Sequence, residues 1–414
     1  MRINRASVVR EIDMQDNKYR IRPAVSADID AIMPIFDQAR AAIAALGIDQ
    51  WQDGYPTKQH IMADIDQKYA YVLCKNREIQ GYFAMISQPE PTYARIFDGA
   101  WRTDGSYTTV HRVAMSDAVR GKGGAAQAMQ YVTAHTLRAG VQAIRIDTHH
   151  GNVRMQRFLE KQGFVACGTI YLESGAARMA YERDLRPILQ KAPVVLYEDR
   201  SIIICQKPVG QPSQPDPVHA DGSDLLSCLV AWRHACGYAE DVFPVHRLDT
   251  ATGGAILFAK DRESAARLGG MVVGKQIHKQ YLAVVHGSPD PAEGRMDDYL
   301  YHDKAQNKAY VVSTPRKGVK QASLRYKTLA HSGEYTLVEV TLETGRTHQI
   351  RAQFSHAGHP LLGDGKYGSR EKGCTTALWA YRLGVQSPAK EQYREAISKP
   401  PMTYPWTLFT DHMK

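Results

Sequence analysis

The chain contains no long hydrophobic run. Its longest apolar stretches, such as AAIAALGI (41–48) and GGAILFA (253–259), fall far short of the ~20 residues that cross a bilayer. No charged-then-apolar leader opens it. MRINRASVVREIDMQD is Arg-rich, but Glu11, Asp13 and Asp16 argue against a transit peptide. Residues 1–18 read as an N-terminal extension, and a cytoplasmic location with no membrane partner is expected. The six cysteines (Cys74, Cys167, Cys205, Cys228, Cys236, Cys374) form no C-x-x-C pair, which excludes a disulfide framework and a cysteine zinc site. HQIRAQFSHAGHP holds His348, His356 and His359 with no carboxylate or cysteine interleaved at ligand spacing, so no metal is expected. No internal repeat or low-complexity tract is present.

What is there suits a folded, two-domain protein. The 414 residues are 43% hydrophobic and 23% charged, more than one typical core encloses. The net charge is +9; residues 1–185 carry a surplus of +3 and residues 186–414 of +6. That mild excess fits a polyanionic partner for the second half. The first half reads as a strand at 19–22, a helix opening near Ser26, strands AYVLCKN, IQGYFAMIS and TTVHRVAMS, a helix over about 125–139, a strand AIRIDTH, a helix from Asn152 and a strand FVACGTIYL. Pro187 and Pro193 punctuate a linker at 186–193. Beyond it, short β-rich runs alternate with turn signals, and helices are expected near 223–236 and 261–274. The domains are thus placed at 19–185 and 194–414: α/β first, then α+β on a mainly antiparallel mixed sheet.

VRGKGGAAQAMQYV lies between a predicted strand and a predicted helix, with Arg120, Gly123 and Ala125 in an R-x-x-G-x-A pattern. Glycines let backbone approach a diphosphate, and a helix start offers free N–H groups and a positive dipole end. An ordinary glycine-rich turn has the same composition. With HRVAMSDAVRGKGGAAQAM, AIRIDTHHGNVRMQRFLEKQGF and RMAYERDL around it, the segment resembles the GNAT family of acetyl-CoA-dependent N-acetyltransferases, over roughly 19–184. The resemblance implies that the 110–115 strand, with Val113 and Met115, pairs with the pantetheine arm. It also implies that Arg120, Gly121, Lys122, Gly123, Gly124 and Ala125 hold the diphosphate and that Asn152 lies beside the cofactor. The acceptor would be an unidentified amine. Leu159 stands where many members carry an acidic Tyr. The domain therefore either acetylates by positioning alone or serves as a non-catalytic acetyl-CoA-binding or scaffolding module. Tyr171 and Glu173 are further polar candidates, and Asp147, His149 and His150 are either acceptor contacts or a solvated turn.

In the second half, FPVHRLDTATGGAILFAK (243–260) places His246, Arg247 and Asp249 ahead of an apolar run. With CQKPVGQPSQP, HKQYLAVVHG and ETGRTHQIRAQFSHAGHPLLGDGKYG in order, residues 194–385 resemble the RluA-type RNA pseudouridine synthases. That implies isomerisation of uridine in structured ribosomal or transfer RNA. The reaction breaks a glycosidic bond, turns the base and forms a carbon–carbon bond. It has no net redox step, so no cofactor is expected for this domain. By resemblance, Asp249 is the catalytic carboxylate, Tyr281 stacks on the uracil, and Arg346 is the cation beside Asp249, with Arg351 the second choice. Arg247 would fill the space left by the flipped base; His246, Arg351 and Lys366 join it as RNA contacts. Lys366 and Asp364 are either phosphate contacts or the closure of a turn, and TPRKGVKQ (314–321) is either a grip on RNA backbone or a solvated loop. Thr250 stands where many relatives carry Arg. Gly253 and Gly254 suggest a close backbone approach.

Overall fold

The computed structural model describes residues 19–216, 222–238, 241–389 and 392–412; the expected N-terminal extension lies outside them. The chain divides into two compact units, the first running to Ala192 and the second starting at Pro193, with a short stretch from Trp232 counted in the first.

The first unit contains β1 (Arg20–Pro23), α1 (Ile29–Ala44), α2 (Lys58–Asp66), β2 (Ala70–Lys75), β3 (Glu78–Ile86), β4 (Tyr107–Met115), α3 (Gly124–Arg138), β5 (Ala143–Thr148), α4 (Val153–Lys161), β6 (Val165–Tyr171), β7 (Ala177–Asp184) and the short α5 (Arg186–Gln190). Its seven strands form one sheet in the order β1-β2-β3-β4-β5-β7-β6. All pairs are antiparallel except β4–β5. That parallel pair is short: only Tyr107–Thr109 meet Ala143–Arg145. β4 continues to Met115 against β3, and β5 continues to Thr148 against β7. The two strands therefore part in mid-sheet. Arg112, at φ 55°, lies where the β3–β4 register shifts, an irregularity that re-aims the side chains beside it.

The second unit begins with β8 (Val194–Glu198), β9 (Ile202–Lys207) and α6 (Leu225–Ala235). It continues through β10 (Phe243–Pro244), β11 (Gly253–Ala259), α7 (Arg262–Val273), β12 (His278–His286), β13 (Glu293–Asp303), β14 (Lys308–Val312), β15 (Val319–Ser332), β16 (Tyr335–Leu342), α8 (Gln349–His356), β17 (Leu378–Ser387) and β18 (Gln392–Ile397). The sheet runs β14-β13-β15-β16-β12-β17-β11-β9-β8, with β10 on β11 and β18 on β17. Only β11–β17 is parallel. β11 is buried along its whole length, as a continuous apolar run inside a sheet should be. A Cβ on Gly253 would sit 2.3 Å from the Trp379 ring, and one on Gly254 (φ +116°) 2.3 Å from the Ala380 carbonyl oxygen. The close approach expected at these glycines is thus the parallel contact with β17.

The fold class agrees with the sequence expectation, and the anticipated helices lie at Gly124–Arg138, Leu225–Ala235 and Arg262–Val273. Helices α2 and α8 were not anticipated. In α8, Gln349, Ile350, Arg351, Ala352, Gln353 and Phe354 are all buried, so polar and apolar residues share every face and no amphipathic stripe marks it.

Candidate functional site

Asp249 sits in the turn leading into β11, and the 207–213 segment clamps that turn on both sides. The Ser213 hydroxyl accepts from the Leu248 N–H (3.0 Å) and donates to the Leu248 carbonyl (2.8 Å). On the other side, Lys207 Nζ donates to the carbonyls of Pro208 (3.0 Å), Gln211 (2.5 Å) and Thr250 (3.2 Å). The Gly210 N–H also reaches Thr250 O (2.8 Å), and the Thr252 N–H closes the turn onto Asp249 O (2.9 Å).

The Asp249 carboxylate, 21% exposed, faces a cleft of about 940 Å³ lined by Arg247, Lys279, Tyr281, Arg346, His348 and Arg351 among others. The lining holds six cationic side chains (Arg247, Lys275, Lys279, Arg325, Arg346, Arg351) against two carboxylates, Asp249 and Glu343. A polyanion is the ligand such a charge balance draws in.

The cation beside Asp249 is Arg351, whose NH1 lies 3.4 Å from Oδ2. This corrects the expectation for Arg346: its Nε donates to the Gln321 carbonyl (2.9 Å), at the rim of the cleft. Arg351 lies in the first turn of buried α8 and is gripped from behind. Its Nε and NH2 donate to Asp364 Oδ2 (2.6 Å) and Oδ1 (2.8 Å), and its guanidinium lies 4.9 Å from the Tyr367 ring centroid. Burial works against the Arg351 charge, but its bonds to Asp364 outweigh that and hold it above the usual arginine range. Asp364, 1% exposed, is thus a partner of Arg351, and neither a phosphate contact nor a mere turn closure.

His348, which the sequence reading left unassigned, completes the wall. Its Nε2 is 3.7 Å from Asp249 Oδ2, and its Nδ1 pairs with the Tyr367 hydroxyl at 3.0 Å. Because Tyr367 accepts from the Ala309 N–H (2.8 Å), its own proton is free to point at Nδ1, which leaves Nε2–H aimed at Asp249. Burial, opposed by the nearby Asp249 charge, pushes this imidazole down to about 4, so it is neutral at physiological pH. Its partnership with Tyr367 was legible only as a Tyr downstream in the same block.

Tyr281 is buried on β12; burial and then the Asp249 charge push its phenol well up, so the hydroxyl keeps its proton. Arg247 is exposed on the lining. His246 also lines the cleft. Its Nε2 accepts from the Leu257 N–H (3.2 Å), and burial with the Lys279 charge pushes it down to about 3. It is a neutral brace between the HRLD turn and β11. Lys366 lies outside the cleft lining and donates to the carbonyls of Gln306 (3.4 Å) and Asn307 (3.2 Å), so it closes the β13–β14 turn. In the 314–321 patch, the Arg316 guanidinium lies 5.4 Å from the Tyr301 ring.

Lys207 is fully buried. Burial pushes its ammonium down to about 8 from an ordinary 10.5, against the opposing pull of Asp249. Unfolded, this lysine keeps its proton to about 10.5; folded, it loses it near 8. Between those values the unfolded chain binds more protons, so unfolding free energy should rise with pH by up to about 3 kcal/mol. Urea unfolding at pH 7.5 and 10.5 should show that increment in the native chain and not in Lys207→Met. The variant also takes a donor from the Pro208, Gln211 and Thr250 carbonyls, of which Thr250 keeps another, and turnover should fall by about tenfold or more while RNA affinity changes little.

In the first unit, Gly121 (φ 71°) and Gly123 (φ 94°) open onto free space, and α3 starts at Gly124 with no side-chain cap. Arg120 pairs with Asp117, and Lys122 Nζ donates to Ala118 O (2.8 Å), so both cations stay on the loop. This arrangement fits a diphosphate. Val113 is half-buried against the core, and the Met115 side chain is buried, meeting a Cβ built on Gly81 at 2.5 Å. Asn152 opens α4 as the sequence implied: its Oδ1 accepts from the Met155 N–H (3.2 Å) and caps the helix. Leu159 is fully buried core. Tyr171 packs edge-on against Phe97, and His149 Nε2 lies 3.4 Å from Asp49. Where β4 and β5 part, the structure gathers Glu90, Tyr93, His111 and Asp147; of these the sequence reading had named Asp147.

Among the described residues, no group of three or more His, Cys, Asp or Glu side chains is arranged to hold a metal ion, and no helix is long and apolar enough to cross a membrane. A family model described as RNA pseudouridylate synthase matches residues 201–356, and one described as the acetyltransferase (GNAT) family matches 36–164. An uncharacterized RNA pseudouridine synthase, YlyB of Bacillus subtilis, is 34% identical over 205 residues, covering 49% of this chain and 67% of that protein. Ribosomal large subunit pseudouridine synthase D of Borreliella burgdorferi is 31% identical over 217 residues, covering 51% and 66%. A solved GNAT-family acetyltransferase from Streptococcus agalactiae is 38% identical, covering 40% of this chain and 95% of its own, with a TM-score of 0.37. Through its second unit the chain belongs to the RNA pseudouridine synthase family, and it carries a GNAT-type domain in the first.

Proposed function

We propose that the second unit isomerises uridine to pseudouridine in structured RNA, with Asp249 as the catalytic carboxylate. The observation that carries this reading is Asp249 facing a basic cleft, beside an arginine that a buried carboxylate holds from behind. A uridine in a stem must leave its stack to reach Asp249, at a cost of a few kcal/mol. Arg247, exposed two residues earlier, would fill the gap. Asp249 then attacks the sugar or takes a proton from it while the glycosidic bond to N1 breaks. The base turns, C5 bonds to the sugar as the Asp249–sugar bond breaks or as the proton Asp249 took returns to the sugar, and the C5 proton leaves to solvent. Tyr281, buried and protonated, packs against the base. RNA tritiated at C5 of uridine should lose label with the native chain, and pseudouridine profiles of cells with and without the chain should differ at the target. Ribosomal RNA is the first substrate to try, because relatives of this unit include ribosomal large subunit synthases; transfer RNA is the second. No label release from either would refute the reading.

The first unit, in the same proposal, binds acetyl-CoA with its diphosphate on the 120–125 loop and acetylates an amine. When bound, the cofactor supplies an acetyl thioester. The chain's part is to hold the diphosphate at the open glycines and the uncapped start of α3, and to deliver the amine. Calorimetric titration with acetyl-CoA tests the first of these roles. The rival reading, a binding or scaffolding module, rests on Leu159 in the core where an acid would stand; binding without thiol release on any amine would favour it.

A further inference from the structure

The parting of β4 and β5 places a histidine and a carboxylate opposite each other. The parallel register pairs Tyr107 with Ala143 and Thr109 with Arg145; continued by two residues, it sets His111 opposite Asp147. There the strands no longer share hydrogen bonds. His111 Nδ1 lies 3.9 Å from Asp147 Oδ1. On the far side of the ring, Nε2 lies 3.1 Å from Glu90 Oε2. All three side chains are accessible in part, Asp147 least.

The surrounding bonds fix the roles of these atoms. The Tyr93 hydroxyl donates to Asp147 Oδ1 (2.7 Å), and the Glu90 N–H donates to the Tyr107 hydroxyl (3.0 Å), so both carboxylate-bearing residues are anchored. Glu90, held low chiefly by its bond to His111, is ionised and accepts Nε2–H. With the ring neutral, its lone pair is on Nδ1, which faces Asp147. Nδ1 and Asp147 Oδ1, 3.9 Å apart, then form a fork of two acceptors for a donor carrying two or more N–H groups. The next residue on β4, Arg112, is committed to Asp64 at 3.0 Å, so its charge is spent elsewhere. Tyr93, Trp101 and Tyr107 pack together beside the cluster.

We propose that His111 is the general base of the first unit, acting through Nδ1 on a primary amine that Asp147 receives as its ammonium, with Glu90 orienting the ring. This rests on the acetyl-transfer reading above. Nδ1 takes one ammonium proton and later releases it to water. The freed nitrogen lone pair forms the bond to the thioester carbonyl carbon. The carbon–sulfur bond breaks with its electron pair on sulfur, and the sulfur takes the second proton from the new amide nitrogen. No dedicated acid is required, which accords with Leu159 in the core.

The test uses the full chain with spermidine, tyramine and Nα-acetyl-lysine amide as probes. Native protein should bind acetyl-CoA by calorimetry and release thiol with at least one amine. His111→Asn should bind acetyl-CoA equally well and lose about 10²–10⁴-fold in kcat. Glu90→Gln should lose less. Apart from turnover, the His111 Nδ1 resonance in ¹⁵N spectra of the coenzyme A complex should move on amine addition in native protein and stay put in Asp147→Asn. His111→Asn turning over like native, or a resonance indifferent to amine, would overturn the assignment while leaving acetyl transfer intact. Failure of the native chain to bind acetyl-CoA would remove the reading beneath it, and so the proposal.

Discussion

Asp249→Asn should bind structured RNA like the native chain and leave the C5 tritium in place. Asparagine has the shape of aspartate, and the clamps that hold the turn act on the backbone of Leu248 and Thr250, so they survive the change. What disappears is the negative oxygen that, in the proposed reaction, meets the sugar. A nucleophile or base at the centre of a reaction is worth on the order of 10⁴-fold or more in turnover. Affinity, set mostly by phosphate contacts in the six-cation cleft, should shift by less than about threefold. The measurement is single-turnover tritium release beside filter binding on the same RNA. Equal release by the variant would remove Asp249 from the chemistry.

Arg351→Met should cost the protein its fold stability and its activity, and the two losses can be separated. Removing the guanidinium strands Asp364, 1% exposed, as an unpaired buried carboxylate, which costs about 3–5 kcal/mol. Replacing both partners, as in Arg351→Met with Asp364→Leu, removes that penalty, and urea midpoints should return most of the way to native. Turnover should not return; a loss of about 10³-fold is expected, because Asp249 still lacks its neighbour. A double variant that is stable and active would reduce the pair to packing. Arg346→Met, which loses only a bond to the Gln321 carbonyl at the rim, should raise KM and leave kcat nearly unchanged.

The contrast between those two arginines shows how far the sequence could be read. The ordered blocks around HRLD and GRTHQIR led to the cleft, to Asp249 and Tyr281 in its wall and to the second fold, and VRGKGGAAQ with its flanks led to the first. Five positions separate Arg346 from Arg351, and the choice between them turns on α8. That helix is buried all round and leaves no periodic mark, so the inward aim of Arg351 was illegible. A signal did exist: Asp364, embedded in the apolar LLGD, needed a cation, and Arg351 was the cation within reach. The bracing roles of His246 and Lys366 were hidden because a histidine or lysine in a motif looks alike whether it faces RNA or braces a turn. Their partners, the Leu257 N–H and the Gln306 and Asn307 carbonyls, are backbone groups that no side-chain pattern announces. The His111 cluster was hidden for another reason. It joins residues from a short loop, a bulged strand and the strand beyond the helix, and only the parting of β4 from β5 brings them together.

One feature of the second sheet bears on how the enzyme comes into being during translation. β17, among the last strands made, wedges between β12 and β11, and so between the strand bearing Tyr281 and the strand that Asp249 leads into. Until residues beyond 378 have left the ribosome, those two strands have no common neighbour and the cleft has no floor. A nascent chain stalled before that point should release no label from RNA.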